Sequence, residues 1–226
     1  MITTPRHIDS SFDAELGWLK AQIMAMGRLV DDHVSEALRA LVERDVALAS
    51  KVIDADRAVN QLELAIDEQC VRLLALHQPA ASDLRFVAAA LKMVTDLERI
   101  GDLAVNMAER AAALAPEEPL RAVEELPRMA AAAQGMLRRV LDAFVNADAE
   151  EAEAVMAADR SIDAWMERLF SELLAEMTRD PKAVERGVTT IFFAKHIERM
   201  ADHVTNVAEM VVYLVRGQDV RHAKAS

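Results

Sequence analysis

The sequence predicts an all-α protein of six long helices forming two tandem, duplicated three-helix bundles. Three observations predict this fold. Apolar residues recur at the 4-3 spacing of packed helices, and no stretch sustains the alternation expected of a strand. Helix breakers are scarce: of 226 residues only six are Gly and six are Pro, while 53% are hydrophobic. Two segments of the first half also return in the second, 103 and 100 residues later.

The elements follow in order. Phe12, Leu16, Leu19, Ile23, Met26 and Val30 form the apolar seam of a first helix over 8–44. Val52, Val59, Leu62, Ile66 and Leu73 form that of a second, 46–77, ended by Gln78-Pro79. Phe86, Met93, Leu97, Ile100, Ala104 and Met107 carry a third, 82–114, which Ser82-Asp83 can cap. The stretch from Pro116 to Pro119 breaks the chain near its middle. Helices over 120–146, 149–178 and 182–216 complete the set. Asp148 with Glu151 reads as a capping box, and Asp180-Pro181 as an N-cap with Pro at the first helical position.

The repeat is explicit. DVALASKVIDADR (45–57) matches DAEEAEAVMAADR (148–160), and LERIGDLAVNMAE (97–109) matches IERMADHVTNVAE (197–209). The difference in offset falls in a loop, where deletion is tolerated. The halves are therefore expected to be residues 1–115 and 116–226.

Bulk properties narrow the function. A net charge of −12 disfavours a nucleic-acid partner, since phosphates repel such a surface and no compensating basic patch is visible. A single cysteine, Cys70, excludes an internal disulfide and fits a reducing compartment. The N-terminus lacks an apolar core of signal-peptide length, and no apolar run approaches the ~18 residues of a membrane span. A cytoplasmic protein is expected, touching membranes only through partners.

The repeated polar letters are more telling than the seams. Glu98, Arg99, Asp102, Asn106, Ala108 and Glu109 recur as Glu198, Arg199, Asp202, Asn206, Ala208 and Glu209. The apolar letters drift: Ile100 against Met200, Ala104 against Val204, Met107 against Val207. Packing tolerates such exchange, whereas preserved polar residues off the seam indicate a function for that face. Glu98, Asp102, Asn106 and Glu109 form one oxygen-rich stripe, read as lying on the outer face of the helix, and Glu198, Asp202, Asn206 and Glu209 form its copy. Asp56, Asn60, Glu63 and Asp67 offer a second stripe in the first half, and Asp159 and Asp163 one in the second. Oxygen-only donors select hard cations such as iron, Mg²⁺, Mn²⁺ or Ca²⁺. The same stripes also read as solvated acidic faces, with Arg99 and Arg199 neutralising them and no metal involved. His203 reads as a surface residue, and His33 as a packed, hydrogen-bonded core residue. Trp18 and Trp165 read as packing anchors, and Cys70 as a small core residue without a Cys-His-acid set.

Longer stretches carry a family resemblance. HQPAASDLRFVAAALKMVTDLERIGDLAVNMAE (77–109) and FFAKHIERMADHVTNVAE (192–209) resemble the signature of the PhoU family. AIDEQCVRLLALHQP and LVRGQDVRH resemble it as well, so that the match runs from about Phe12 to His222. The resemblance implies a duplicated three-helix bundle, often a homodimer, at the cytoplasmic side of a phosphate ABC transporter. It further implies partners in that transporter's ATPase subunit and in the phosphate-sensing histidine kinase, whose signalling is kept off in plentiful phosphate. Metal at E/DxxxD motifs is implied too, here Glu98/Asp102, Glu198/Asp202, Asp159/Asp163 and Asp56/Asn60. Asn60 departs from the pattern, leaving three formal charges on the first-half motifs against four in the second. The second-half site is therefore expected to fill first.

No nucleotide-binding loop of the GxxxxGK[ST] or GxGxxG kind is present, so a non-enzymatic adaptor is the leading reading. The alternative is a carboxylate-bridged di-iron oxidase or a metal-storage bundle. The oxidase needs Glu-x-x-His pairs pointing into the core, and no histidine here has Glu three residues before it.

Overall fold

The computed structural model describes residues 10–77, 79 and 81–220. The expected start of the first helix, Gln78 and the end of the LVRGQDVRH tail lie outside them. Among the described residues there is no strand. The helices are α1 (Ser10–Glu43), α2 (Val46–Ala55), α3 (Arg57–His77), α4 (Ala81–Leu114), α5 (Leu126–Asn146), α6 (Ala149–Arg179) and α7 (Val184–Arg216). Short 3₁₀ turns at Arg121–Glu125 and Pro181–Ala183 precede α5 and α7. The expected second helix is therefore interrupted at Asp56, although that residue keeps right-handed helical angles.

The duplication is visible in backbone detail. Arg44 and Ala147, 103 residues apart, both take left-handed angles, with φ of 58° and 52°. Each ends the first helix of its half, and the next amide reaches back five residues, Asp45 to Ala40 and Asp148 to Ala143, both at 2.9 Å. Asp45 then accepts from the Leu48 amide, and Asp148 from those of Glu150 and Glu151. Asp148 is thus the expected N-cap. Glu151 binds Arg139 instead of completing a capping box. Asp180 caps the 3₁₀ turn through the Lys182 amide.

Each half packs three helical rods around a seam. Val52, Val59, Ile66, Leu73, Ile100, Met107, Ile197 and Val204 are all buried, as their spacing predicts. Trp18 is a correction: it is 41% exposed and lines a surface groove with Glu15, Gln69 and Arg72 rather than anchoring the core. Trp165 packs against the core, and Cys70 is buried, its thiol pushed up to about 12 by burial and then by Asp67.

Equivalent helices face each other across the molecule. α4 packs along α7 in antiparallel sense, with Asp96 opposite Asn206 and Arg110 over Phe192. α1 packs along α5 in the same manner. Gln134 donates to Asp31 and Ser35, and Gly27 lies so close to Leu141 that a Cβ would stand 2.5 Å from its Cδ1.

Candidate functional site

Two carboxylate grooves lie where the α2–α3 rod meets α4 and where α6 meets α7. The sequence reading set these carboxylates on an outer face; Asp163 and Asp202 are exposed there, whereas Glu98 and Glu198 are turned inward. Only 18% of the Glu98 side chain and 14% of that of Glu198 are exposed. The cause is simple: in a three-helix bundle the positions flanking a seam are covered by the adjacent helix.

In the first groove Asp56 stands at the helix break. Its Oδ2 accepts from Asn60 Nδ2 at 2.9 Å, while Oδ1 is buried without a partner. Gly101 makes room for it, since a Cβ there would lie 3.4 Å from that Oδ1 and 3.1 Å from Val59 Cγ1. Burial, then Asp102, raises Glu98 above the usual carboxylate range, and Arg99 partly offsets the rise. Glu63 and Asp67 are also raised, both chiefly by burial. Arg99 stands 3.5 Å from Glu98 and 3.3 Å from Asp102, the neutralising role the sequence suggested.

In the second groove Asp159, Asp163, Glu198 and Asp202 act on one another. Burial first, then Asp163, Asp202 and Glu198, pushes Asp159 up to about 6. Asp202 is raised by burial and by Glu198. Asp159 Oδ1 and Glu198 Oε2 are buried without partners. Among the described residues Arg199 makes no ion pair here. Lys195 binds Glu198 at 2.5 Å instead, from a position that holds Thr95 in the first half.

The rest of each stripe goes elsewhere. At 100° per residue, position i+8 has turned about 80° from i. Asn206 accordingly faces α4 and donates to Asp96 at 2.9 Å. His203 Nδ1 meets the same Asp96 oxygen at 2.8 Å, half-buried between the halves rather than on the free surface the sequence suggested. Glu209 returns toward the Glu198 azimuth but lies about 16 Å further along the axis. It lines a groove with Leu91, Lys92 and Asn206. Asn106 and Glu109, half-buried and exposed, likewise stand apart from the charges acting on Glu98. His33 is buried as expected, but its Nδ1 has no partner. Burial lowers it, with Asp56 pulling the other way. Sequence reasoning missed Asp96, Lys195 and Gly101, although the offset of 100 already set Asp96 against His196 and Thr95 against Lys195.

The donors suit a hard cation in chemistry: all oxygen, in excess negative charge, with three orphaned carboxylate oxygens. Their spacing is not that of a closed site. Among the described residues no three His, Cys, Asp or Glu side chains converge closely enough to hold a metal. A cation would require Asp159, Glu198 and their neighbours to rotate toward one another.

Comparison with known proteins agrees with this architecture. The PhoU domain matches twice, over residues 23–111 and 126–211. The chain is 43% identical over 217 residues to the phosphate-specific transport system accessory protein PhoU homolog of Pseudomonas aeruginosa, covering 96% of this chain and 90% of the relative. Against the PhoU protein of Escherichia coli K12 the identity is 37%, with the same coverage of both chains. The crystal structure of PhoU from Pseudomonas aeruginosa superposes with a TM-score of 0.89 at 42% identity, covering 92% of this chain and all of that one. The phosphate transport system regulatory protein PhoU from Streptococcus pneumoniae gives 0.87 at 34% identity, covering 92% of this chain and 99% of that one. With a PhoU domain in each half and near-complete coverage by these relatives, the chain belongs to the PhoU family.

Proposed function

We propose that this protein is a non-enzymatic, cytoplasmic accessory regulator of phosphate uptake. In this reading it docks on the ATPase subunit of the phosphate ABC transporter and on the phosphate-sensing histidine kinase. It holds both uptake and the starvation response down when phosphate is plentiful. The supporting observation is family membership across 96% of the chain with relatives named as phosphate-specific transport accessory proteins. No helix among the described residues is long and apolar enough to cross a membrane, so contact with the bilayer would run through partners.

Within this reading each carboxylate groove takes a hard cation, iron or Mn²⁺, Mg²⁺ or Ca²⁺. Asp159, Asp163, Glu198 and Asp202 would hold it in the second half, and Asp56, Glu98 and Asp102, with Glu63 within reach, in the first. Bound metal would supply charge neutralisation that joins two helices of a bundle, and pairing of two copies as a homodimer completes the reading.

A deletion strain tests the regulatory part. Alkaline phosphatase and transporter expression should stay high in phosphate-rich medium, and normal repression there would refute the reading. Affinity capture of the tagged protein from phosphate-replete cells should recover the ATPase subunit and the kinase.

A further inference from the structure

The linker between the halves closes over a cavity that neither half forms alone. It measures 270 Å³ and is walled mainly by apolar side chains. Leu41 and Leu114 enter from the ends of α1 and α4, Leu120 and Val123 from the linker and its 3₁₀ turn, and Thr190 and Arg186 from the start of α7. Such a volume suits a compact molecule near the lower end of ordinary ligand size.

Three arginines border this space, and their situations differ: Arg121 is exposed. Arg44 is committed to the fold: its Nε donates to the Ala115 carbonyl at 2.8 Å and its Nη2 to that of Glu117 at 2.7 Å. Arg186 is only 18% exposed, and its satisfaction is incomplete. Nη1 reaches the Glu118 carbonyl at 3.2 Å, while the ion pairs with Glu118 and Asp180 are open at 3.9 and 3.7 Å. Nε is buried and has no acceptor at all. That nitrogen is sealed from the cavity, and the part of the guanidinium open to a ligand is its loosely paired terminal nitrogens, where a carboxylate would make a closer, charge-assisted contact. The Thr190 hydroxyl donates to the Arg186 carbonyl and so offers a ligand no proton.

We propose that this junction cavity binds a small amphipathic monocarboxylate, its apolar body against Leu41, Leu114, Leu120 and Val123 and its carboxylate on Arg186. One negative charge fits better than two. Glu118 and Glu124, both exposed, also border the cavity and offset two of its three arginines, which leaves one positive charge and opposes a multiply charged anion such as inorganic phosphate. Because the walls come from both halves, the ligand would tie them together at the linker.

The test uses the full-length protein in EDTA, so that its outcome is independent of any metal site. Octanoate, octanol and inorganic phosphate are titrated by calorimetry and ligand-observed NMR. Octanoate should bind with Kd on the order of 1 mM or tighter, and octanol about tenfold more weakly. Arg186→Gln should bring octanoate down to the level of octanol and leave octanol unchanged. Val123→Trp, at a partly exposed wall position, should fill the cavity and abolish both. Thermal melts confirm that each variant folds. Should Arg186→Gln unfold, the octanoate-to-octanol ratio and Val123→Trp still decide. Octanoate binding no tighter than octanol, competition by phosphate, or unchanged binding to Val123→Trp would each overturn the assignment.

Discussion

At Asp56 the carboxylate has help on several sides. Asn60 donates to it, the His33 imidazole lies within its field, and Arg99 stands against the neighbouring Glu98 and Asp102. At Asp159, its counterpart 103 residues later, Asn60 has become Asp163 and the His33 position holds Met136. Among the described residues Arg199 makes no ion pair there; Lys195 pairs with Glu198, and Lys195 and His203 both act on Asp202. One ancestral groove has thus become a neutralised version and a charged version. The difference teaches that the same motif can be stabilised locally or left in want of a cation, depending on three or four flanking positions.

The largest expected effect breaks this comparison at the proposed metal. In a Mn²⁺ titration followed by EPR, Asp159→Asn should weaken the second groove about 100-fold, as losing a direct oxygen ligand costs at least what outer-shell changes do. Asp163→Asn should weaken it less, and Asn60→Asp should strengthen the first groove about tenfold. If the first groove proves tighter and Glu63→Gln removes its advantage, charge on the short motif is the wrong quantity to compare.

Without metal the sign should reverse. A carboxylate whose folded-state pKa is raised binds its proton more tightly when folded. Its stabilising effect is present below its ordinary value near 3.8 and is lost as pH rises through about 6. Asp159→Asn should therefore stabilise the EDTA-treated protein by about 1–2 kcal/mol at pH 8, allowing for solvent screening, and do little near pH 4. The same exchange at Asp56, whose charge already has a donor, should not stabilise. Urea unfolding at the two pH values separates these outcomes.

Gly101 and Ala201 give a smaller, reciprocal pair. Gly101→Ala meets the stiff Val59 and the buried Asp56 oxygen, and should lose about 1 kcal/mol despite the better helix propensity. Ala201→Gly should also lose about 1 kcal/mol, through propensity and a lost buried methyl. Urea midpoints read both, and a stabilising Gly101→Ala would show that the first groove has slack. The smallest effect belongs to the partly exposed Lys195 pair, where Lys195→Thr should shift stability by about 0.5 kcal/mol or less. A larger shift in thermal unfolding would mean that Lys195 is the cation the second groove depends on.

Most of the fold was legible because it rests on period and repetition: the seams, the Asp148 and Asp180 caps and the matched halves all show in the letters. The interruption at Asp56 was not. No Gly or Pro marks it, and the feature found there, the close approach of Asp56 to a glycine on another helix, is tertiary. The grouping of acids was legible for Glu98 with Asp102 and for Glu198 with Asp202, whose spacing stays near one turn. It failed at Asn206 and Glu209 because a stripe drifts around the helix and runs along it, and i+8 or i+11 no longer shares a partner with i. Trp18 failed for a different reason, since periodicity says which side a residue takes but not how far along the helix cover extends.

The pairing of α4 with α7 and of α1 with α5 has a consequence for how such a molecule can change over time. A single bundle of this kind would have to close those faces against an identical copy, and any substitution would then appear on both sides at once. Joining two bundles in one chain removes that constraint. Asp96 can meet His203 and Asn206 while the mirrored position holds His196, a half-buried imidazole lowered to about 4 by burial and by Arg110 and Arg199. An acid on one side and a neutral base on the other is an arrangement closed to a symmetric pair and open to a fused one. Each half is thereby free to specialise without unmaking the other.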